Sequence, residues 1–315
     1  MIVVTGGAGF IGSRLVASLN KLGRNDIVVV DDLTDGKKFE NLAANNIADY
    51  FDKTEFRKLI ENRDSVCDQI EVFFHQGACS TTTEWNGQYM MDNNYTYSKE
   101  LLHFCIERER PFIYASSAAV YGIDSKFIEE PEHESPINVY GYSKLLFDNY
   151  VRNLNAKVNS QVVGLRYFNV FGTGEAHKKN MASVIYHFNN QVKETGELKL
   201  FEGSHGYADG EQLRDFISVD DVVDVNLWLM SKPDVSGIFN VGTGQPNSFN
   251  NVANAVIDWH KKGNINYIPF PGSLKESYQS FTEANLVKLR SVGYEQKFTS
   301  LKDGVNSYLN ILNSN

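Results

Sequence analysis

Three glycines near the start of the chain constrain its fold more than any other feature. They stand at positions 6, 9 and 12, after the apolar run Met1–Thr5, and a helical pattern begins at Phe10. A strand, a glycine turn and a helix in this order are typical of dinucleotide-binding folds, where the diphosphate lies at the helix N-terminus. Three glycines also occur in turns that bind no nucleotide, so this prediction depends on the sequence context around the turn.

A second apolar run supplies that context. Ile27–Val30 reads as a buried strand and ends in Asp31 and Asp32, at the spacing where an acidic residue binds the adenine ribose. By that rule Asp31 favours NAD, because its carboxylate accepts from the ribose 2′-hydroxyl. Lys37 or Lys38 could instead offset the carboxylate and bind the 2′-phosphate of NADP.

Apolar runs alternate with helical patterns through the first half of the chain. Predicted strands lie near 27–31, 70–75, 111–116 and 161–167, and helical spacing covers Tyr97–Arg108 and Leu145–Arg152. Continuous apolar strands are typical of a parallel sheet that is covered on both faces. We therefore predict an α/β protein with a doubly wound parallel Rossmann sheet.

The pattern changes after about residue 168. A glycine-rich stretch, a helix around 181–194 and an exposed loop at Gly203–Gly210 follow, before 215–230 returns to a strand and a helix. We expect two discontinuous domains. Their predicted bounds are 1–167 plus about 214–240 for the dinucleotide-binding Rossmann domain, and about 168–213 plus 241–315 for a smaller α/β substrate domain.

Charge and cysteine content exclude several classes of function. The net charge of −9 argues against a nucleic-acid partner, whose backbone needs clustered Lys and Arg. Cys67, Cys79 and Cys105 form no C-x-x-C pair, so we expect no structural metal and a reducing cytoplasm. No apolar stretch has membrane-spanning length, and Met1 already belongs to the first strand, so we expect neither a membrane partner nor a signal peptide.

The predicted reaction chemistry depends on a tyrosine and a lysine. Tyr140 and Lys144 are four residues apart, so on a helix they share a face, and the ammonium favours the phenolate. Tyr142 has no lysine four positions further on, which leaves Tyr140 as the predicted base. Ser116 and Ser117 end a predicted strand, where a serine can hydrogen-bond a substrate hydroxyl or simply form a turn.

Together these motifs resemble the extended short-chain dehydrogenase/reductase family, whose members modify nucleotide-linked sugars. The resemblance covers the whole chain and includes Arg166–Gly172 besides the glycines, Ser116–Gly122 and Tyr140–Lys144. Four further segments resemble the ADP-heptose epimerases within that family: His75–Ser80, Thr83–Trp85, Tyr89–Tyr95, and His177–Lys178 with Met181–Ser183.

The resemblance implies an isomerase that uses NADP. In those relatives a hydride leaves C6 of the heptose of ADP-D-glycero-β-D-manno-heptose and returns to the other face, which gives the L-glycero form for lipopolysaccharide core biosynthesis. Acid/base groups are then needed on both faces. The resemblance implies Tyr140, with Lys144 and Ser117, on one face and Lys178 on the other, although Lys178 alone reads as a surface lysine.

It also implies two sets of binding residues and a cytoplasmic homo-oligomer, a homopentamer by resemblance. The cofactor set is Gly6, Gly9, Phe10, Ile11, Gly12, Asp31, Asp32, Lys38, Lys53, Gln76, Gly77, Ala78, Cys79, Ser80, Asn93, Tyr140, Lys144, Val170 and Lys178. The ADP-sugar set is Asn169, Asn180, His187, Phe201, Glu202, Gly203, Ser204, Arg214 and Tyr278. Arg214 is the expected diphosphate partner, since its fork matches phosphate oxygens.

Some residues depart from the family pattern, and other functions stay open. Gln76 replaces a Glu, Thr173-Gly174 replaces Pro-Arg, Asn180 replaces a Ser, and residues 205–213 form a longer loop. Another nucleotide-sugar 4-epimerase would share the general motifs. A dehydratase would need an Asp-Glu pair where this chain has Ala118-Ala119, and a non-catalytic NADP-binding protein would have no reason to keep Tyr140, Lys144 and Ser117 together.

Overall fold

The computed structural model describes residues 1–123, 126–154, 158–272 and 278–314. In these ranges the strands are β1 Ile2–Thr5, β2 Ile27–Asp31, β3 Asp49–Asp52, β4 Val72–His75, β5 Phe112–Ser117, β6 Val162–Tyr167, β7 Asn169–Phe171, β8 Glu197–Phe201, β9 Leu213–Arg214, β10 Phe216–Ser218, β11 Gly237–Val241, β12 Asn247–Ser248 and β13 Asn264–Ile268. The α-helices are α1 Phe10–Lys21, α2 Phe39–Leu42, α3 Lys53–Glu61, α4 Gly87–Met91, α5 Tyr97–Glu107, α6 Val139–Leu154, α7 Val184–Glu194, α8 Val219–Met230, α9 Phe249–His260, α10 Val287–Ser291 and α11 Leu301–Leu312.

The chain divides into two compact units, each built from separate stretches of sequence. The first unit comprises Met1–Val120, Asn138–Arg166 and Val223–Phe239. The second unit comprises Tyr121–Ile137, Tyr167–Val222 and Asn240–Asn315. The domain bounds expected from the sequence stay a prediction, and residues 273–277 and 315 of the expected substrate domain lie outside the described residues.

A seven-stranded parallel sheet forms the centre of the first unit. Its strand order is β11-β6-β5-β4-β1-β2-β3, so the chain starts in the middle, runs to one edge and then crosses to the other side. Every residue of β1 and β2 is buried, as the unbroken apolar runs predicted. The doubly wound Rossmann sheet expected from the sequence is confirmed.

Aromatic residues fill one side of this sheet. The ring of Phe73 in β4 lies 6.0 Å edge-on from Phe104 in α5 and 6.3 Å from Phe112 in β5. Burial of one such side chain contributes about 2–3 kcal/mol. This packing fixes the carboxyl ends of β4 and β5 beside each other, and predicted site residues follow both strands.

The second unit has its own core. Phe188 of α7, Val256 of α9 and Leu309 of α11 are buried in one apolar cluster. Short strand pairs complete the unit, with β13 parallel to β8, β10 parallel to β7 and β12 antiparallel to β9. Within the described ranges, no helix combines the length and the apolar character needed to cross a bilayer.

Candidate active site

The glycine turn has no room for side chains. Gly6 has a φ of +66°, and a Cβ there would lie 2.6 Å from the backbone nitrogen of Gly77. A Cβ on Gly12 would lie 2.1 Å from the carbonyl oxygen of Gly6. Gly9 is the N-cap of α1 and has no side chain that could occupy the helix N-terminus, where a diphosphate binds in such turns. The turn therefore fits a dinucleotide diphosphate.

A cavity of about 160 Å³ in the first unit brings nine of the nineteen predicted cofactor residues together. Its lining includes Gly6, Asp31, Asp32, Lys38, Lys53, Gly77, Ala78, Cys79 and Asn93 from the predicted set. Thr5, Val30, Tyr89 and Tyr97 also line it, and the sequence analysis did not identify them. The ammonium groups, carboxylates and hydroxyl groups of this lining suit the ribose and phosphate groups of a nucleotide.

The Asp31 carboxylate at this cavity is already bound by groups of the protein. It accepts hydrogen bonds from the backbone N–H groups of Ala8, at 2.8 Å, and Asp32, at 2.7 Å, and from Lys38 Nζ at 2.8 Å. Lys53 Nζ lies 3.4 Å from an Asp32 oxygen and 2.9 Å from Asn93 Oδ1. Two ammonium groups thus offset the two carboxylates, and three of the roughly four acceptor positions on the Asp31 carboxylate are occupied.

Tyr97 is a candidate cofactor contact that the sequence did not indicate. Its side chain is buried, and its hydroxyl has no hydrogen-bond partner among the described residues although it lines the cavity. Burial raises the pKa of this hydroxyl, which stays neutral and can donate to a bound ligand. The sequence showed Tyr97 only as the start of a helical pattern.

Tyr140, Ser117 and Lys144 meet where β5 ends beside α6. Tyr140 shares a side-chain hydrogen bond with Ser117, and buried Lys144 donates to the Ala115 carbonyl at 2.8 Å. Burial lowers the pKa of Lys144 to about 8, although the charge of Asp148 opposes this effect. The neighbouring Tyr142 is exposed, which favours Tyr140 as the reactive tyrosine.

One electrostatic expectation about Tyr140 was wrong. The sequence analysis expected Lys144 to lower its pKa, yet burial raises the pKa of Tyr140, and the hydrogen bond from Ser117 only partly opposes that effect. Desolvation is the largest influence on the pKa of Tyr140, and Lys144, whose ammonium bonds to the Ala115 carbonyl, makes no resolved contribution to it.

A buried ion pair fixes α6 against β5 and β6. Asp148 accepts hydrogen bonds from Tyr114 Oη, Ser116 Oγ and Arg166 Nε, each at 2.9 Å. Asp148 and Arg166 are both completely buried. Because Asp148 lies one turn after Lys144, this network anchors the turn of α6 that follows Tyr140 and Lys144.

His75 at the end of β4 joins a second buried chain of hydrogen bonds. Its Nδ1 lies 2.6 Å from Thr5 Oγ1, and its Nε2 lies 2.8 Å from Ser98 Oγ, which itself donates to the Asn94 carbonyl. This direction assigns the proton to Nε2 and makes Nδ1 an acceptor. Burial lowers the pKa of His75 to about 3, so the ring is neutral.

Lys178 lies in the second unit on a short helical segment, Ala176–Met181. The side chain of Lys178 is half-buried. Burial lowers its pKa, although the negative charge of Glu175 opposes this effect. The buried Glu175 carboxylate accepts from Gly172 N at 3.2 Å, from Ser183 Oγ at 2.7 Å, and from the Ser183 N–H and the Tyr308 hydroxyl. One side chain thus joins both ends of the loop that carries Lys178.

Arg214 in β9 contacts one other predicted substrate residue, Tyr278. Its side chain is 7% exposed, yet it has no ion pair with any described carboxylate. It bonds to Tyr278 and to the Leu213 carbonyl, and burial lowers its pKa. A buried guanidinium without a counterion is costly, which favours an anionic ligand at this position.

Other predicted substrate residues occupy several parts of the second unit. Gln212 binds the Glu202 carbonyl at 3.0 Å and Ser204 Oγ at 3.2 Å, which fixes the Phe201–Ser204 segment. Elsewhere Asn169 lies in β7 and contacts Thr282, Asn180 lies beside Lys179 and is exposed, and His187 lies in α7.

The remaining predicted cofactor residues lie outside the cavity lining. Phe10 and Ile11 open α1, Gln76 bonds to Asn226, and Ser80 follows Cys79 in the loop after β4. Val170 lies in β7 of the second unit.

Comparisons with known proteins identify the family. The model of the NAD dependent epimerase/dehydratase family matches residues 2–242. The chain belongs to this family. This match confirms the family resemblance that the sequence motifs indicated. It also confirms the general cofactor prediction, which is a nicotinamide dinucleotide.

Three relatives show how far the similarity extends within the NAD dependent epimerase/dehydratase family. A protein of Alkalilimnicola ehrlichii named ADP-L-glycero-D-manno-heptose-6-epimerase is 58% identical over 309 residues, which cover 98% of this chain and 96% of the relative. The crystal structure of the Helicobacter pylori enzyme of the same name is 31% identical, with a TM-score of 0.86 over 100% of this chain and 96% of that one. A Thermotoga maritima UDP-glucose 4-epimerase, solved with UDP-glucose, is 29% identical with a TM-score of 0.80, over 99% and 98% of the two chains.

Proposed function

We propose that this chain epimerises C6 of the heptose in ADP-D-glycero-β-D-manno-heptose to the L-glycero form, with NADP as its cofactor. The supporting observation is the Ser117–Tyr140–Lys144 arrangement in a chain that is 58% identical to a protein named as that epimerase. The product would enter lipopolysaccharide core synthesis in the cytoplasm. We also propose a homo-oligomer, a homopentamer by resemblance.

In this proposal the first unit holds the cofactor and one acid/base group. A bound dinucleotide would supply reversible hydride transfer at C6. Tyr140, oriented by Ser117, takes the proton of the substrate hydroxyl as C6 is oxidised. Lys144, which donates to the Ala115 carbonyl, also binds the cofactor ribose in this proposal.

The second unit holds the substrate and the other acid/base group. Arg214 binds the diphosphate, because its buried guanidinium has no carboxylate partner among the described residues. Lys178 serves the face of the carbonyl opposite to Tyr140. Lys178 gives a proton to the C6 oxygen as the hydride returns to that face, and its lowered pKa makes this proton easier to release. Tyr140 and Lys178 then exchange protons with solvent before the next turnover.

NADP is favoured over NAD by the charges at the 160 Å³ cavity. The Asp31 carboxylate accepts from two backbone N–H groups and Lys38, so it competes poorly for a ribose hydroxyl. Lys38 and Lys53 can both turn towards a 2′-phosphate.

Incubation with ADP-D-glycero-β-D-manno-heptose tests the function. We expect an isomer of equal mass, separable by chromatography. A product of lower mass would indicate a dehydratase, and an unchanged sugar with bound cofactor would indicate a non-catalytic binding protein.

Tyr140→Phe tests the predicted base. We expect turnover to fall by at least a hundredfold while NADP binding is retained, because only the ionisable hydroxyl is lost. Tyr142→Phe is the matched control, since Tyr142 is exposed on the same helix and should tolerate the change. Near-normal turnover of Tyr140→Phe would assign the base to another group.

A further inference from the structure

Three aromatic rings extend the surface beside Arg214 in the second unit. The guanidinium carbon of Arg214 lies 4.8 Å from the centre of the Tyr278 ring. The Tyr278 ring lies 5.0 Å from Phe270 and 6.3 Å from His205, and the planes of His205 and Tyr278 differ by only 27°. His205 is exposed, so one flat ring at the edge of this group is open to solvent.

A tight turn in the longer loop presents His205. His205 and Gly206 both have positive φ, at 55° and 84°, and the Tyr207 N–H donates to the Ser204 carbonyl at 3.0 Å. Two successive left-handed residues closed by such a bond form a turn that favours Asn or Gly at its first central position. The chain has a histidine there instead, although a side chain in this conformation is strained.

The rest of the loop is held in place by well-formed contacts. Asn250 donates its backbone N–H to the Gly210 carbonyl at 3.0 Å and its side-chain amide to the Asp209 carbonyl at 2.9 Å. The Asp209 carboxylate in turn accepts from Gly203 N at 2.7 Å. The loop therefore returns to the segment that precedes His205, which fixes the backbone from which the imidazole projects.

We propose that His205 is a further substrate-binding residue whose ring stacks on the nucleobase of the nucleotide sugar. This inference deepens the proposed function, since it requires a nucleoside diphosphate bound at Arg214. A base joined through ribose to that diphosphate must lie beside the guanidinium, and the adjacent surface consists of the Tyr278, Phe270 and His205 rings. Aromatic rings bind bases through their faces, whereas phosphates need donors.

Titration with ADP and with inorganic pyrophosphate tests this inference on the whole protein. We expect His205→Asn to weaken ADP binding by about tenfold, a typical loss for one stacked base. Binding of pyrophosphate should stay the same, because pyrophosphate has no base. Asn suits the left-handed turn, so the melting temperature should be retained or rise. His205→Tyr restores a ring and should recover most of the ADP affinity.

The outcomes separate this inference from the proposed function. Equal ADP affinity of the wild type and His205→Asn would overturn the stacking role, as would an equal loss for ADP and pyrophosphate. If the wild type neither binds ADP nor isomerises the ADP-heptose, the proposed function itself fails. A wild type that does both, with an unaffected variant, refutes only His205.

Discussion

At the scale of single residues, burial decides which form of each ionisable group is stable. His75 is the clearest case, because its ring is enclosed between Thr5 and Ser98 and its pKa is lowered to about 3. Both ring nitrogens have partners that suit a neutral imidazole. Protonation would place an uncompensated charge in the sheet, near buried Lys144.

We expect His75 to make the protein sensitive to mild acid. Because the folded pKa is lowered, the unfolded chain binds a proton between pH 6.5 and about 3 that the folded chain does not, so the free energy of unfolding falls as pH falls through that window. His75→Gln can keep both hydrogen bonds without titrating. Urea unfolding at several pH values measures the free energy of unfolding of the wild type and of this variant. Below pH 6.5 the wild type should lose stability relative to the variant, by up to about 1.4 kcal/mol per pH unit. A constant difference would contradict the assignment.

At the scale of elements, side chains that connect distant segments position the chemistry. Asp148 joins α6 to β5 and β6, and Glu175 joins the two ends of the loop that carries Lys178. The sequence predicted strands and helices because apolar runs and helical spacing are local properties. It did not predict Asp148 or Glu175, since the partners of both are set by the tertiary fold and leave no local pattern.

Glu175→Gln should impair the reaction through Lys178. The amide faces four donor groups with only one acceptor oxygen, and hydrogen bonds to charged groups contribute about 1.5–3 kcal/mol each. We expect kcat to fall at least tenfold. Loss of the negative charge should also lower the pKa of Lys178 further and move that limb of the pH–rate profile to lower pH.

Two variants distinguish this effect from simple loss of folding. Tyr308→Phe removes one donor but keeps the Glu175 charge, so its pH–rate profile should stay unchanged. Lys179→Met alters the exposed neighbour of Lys178 and should be neutral. An unshifted profile in Glu175→Gln would show that Glu175 acts only in stability.

At the scale of the whole molecule, the sequence predicted the Rossmann sheet and most of the cavity lining. The glycine turn, Asp31 and the loop after β4 meet at the carboxyl edge of a parallel sheet, which the strand pattern implies. Tyr97 escaped prediction because its position in the cavity depends on how α5 packs. The pKa of Tyr140 was misjudged because desolvation depends on burial, which spacing alone does not show.

NADP⁺ should stabilise the folded protein more than NAD⁺ does. A ligand at one hundred times its Kd adds about 2.7 kcal/mol to the free energy of unfolding. At equal concentrations, NADP⁺ should raise the melting temperature more than NAD⁺, and Lys38→Ala or Lys53→Ala should remove most of that difference. Lys37→Ala is the matched control because Lys37 is exposed. Equal shifts for the two dinucleotides in the wild type would contradict the assignment of NADP.

The glycine turn also sets an uneven limit on how this sequence can evolve. A single methyl group at Gly12 would overlap the Gly6 carbonyl oxygen, whereas one at Gly36 would meet open space with ordinary backbone angles. Neutral drift can therefore replace Gly36, and alanine there would even reduce the freedom of the unfolded chain. At Gly12, even alanine would push the glycine loop away from the helix. Descendants of this sequence that keep the cofactor site should therefore keep glycine at position 12.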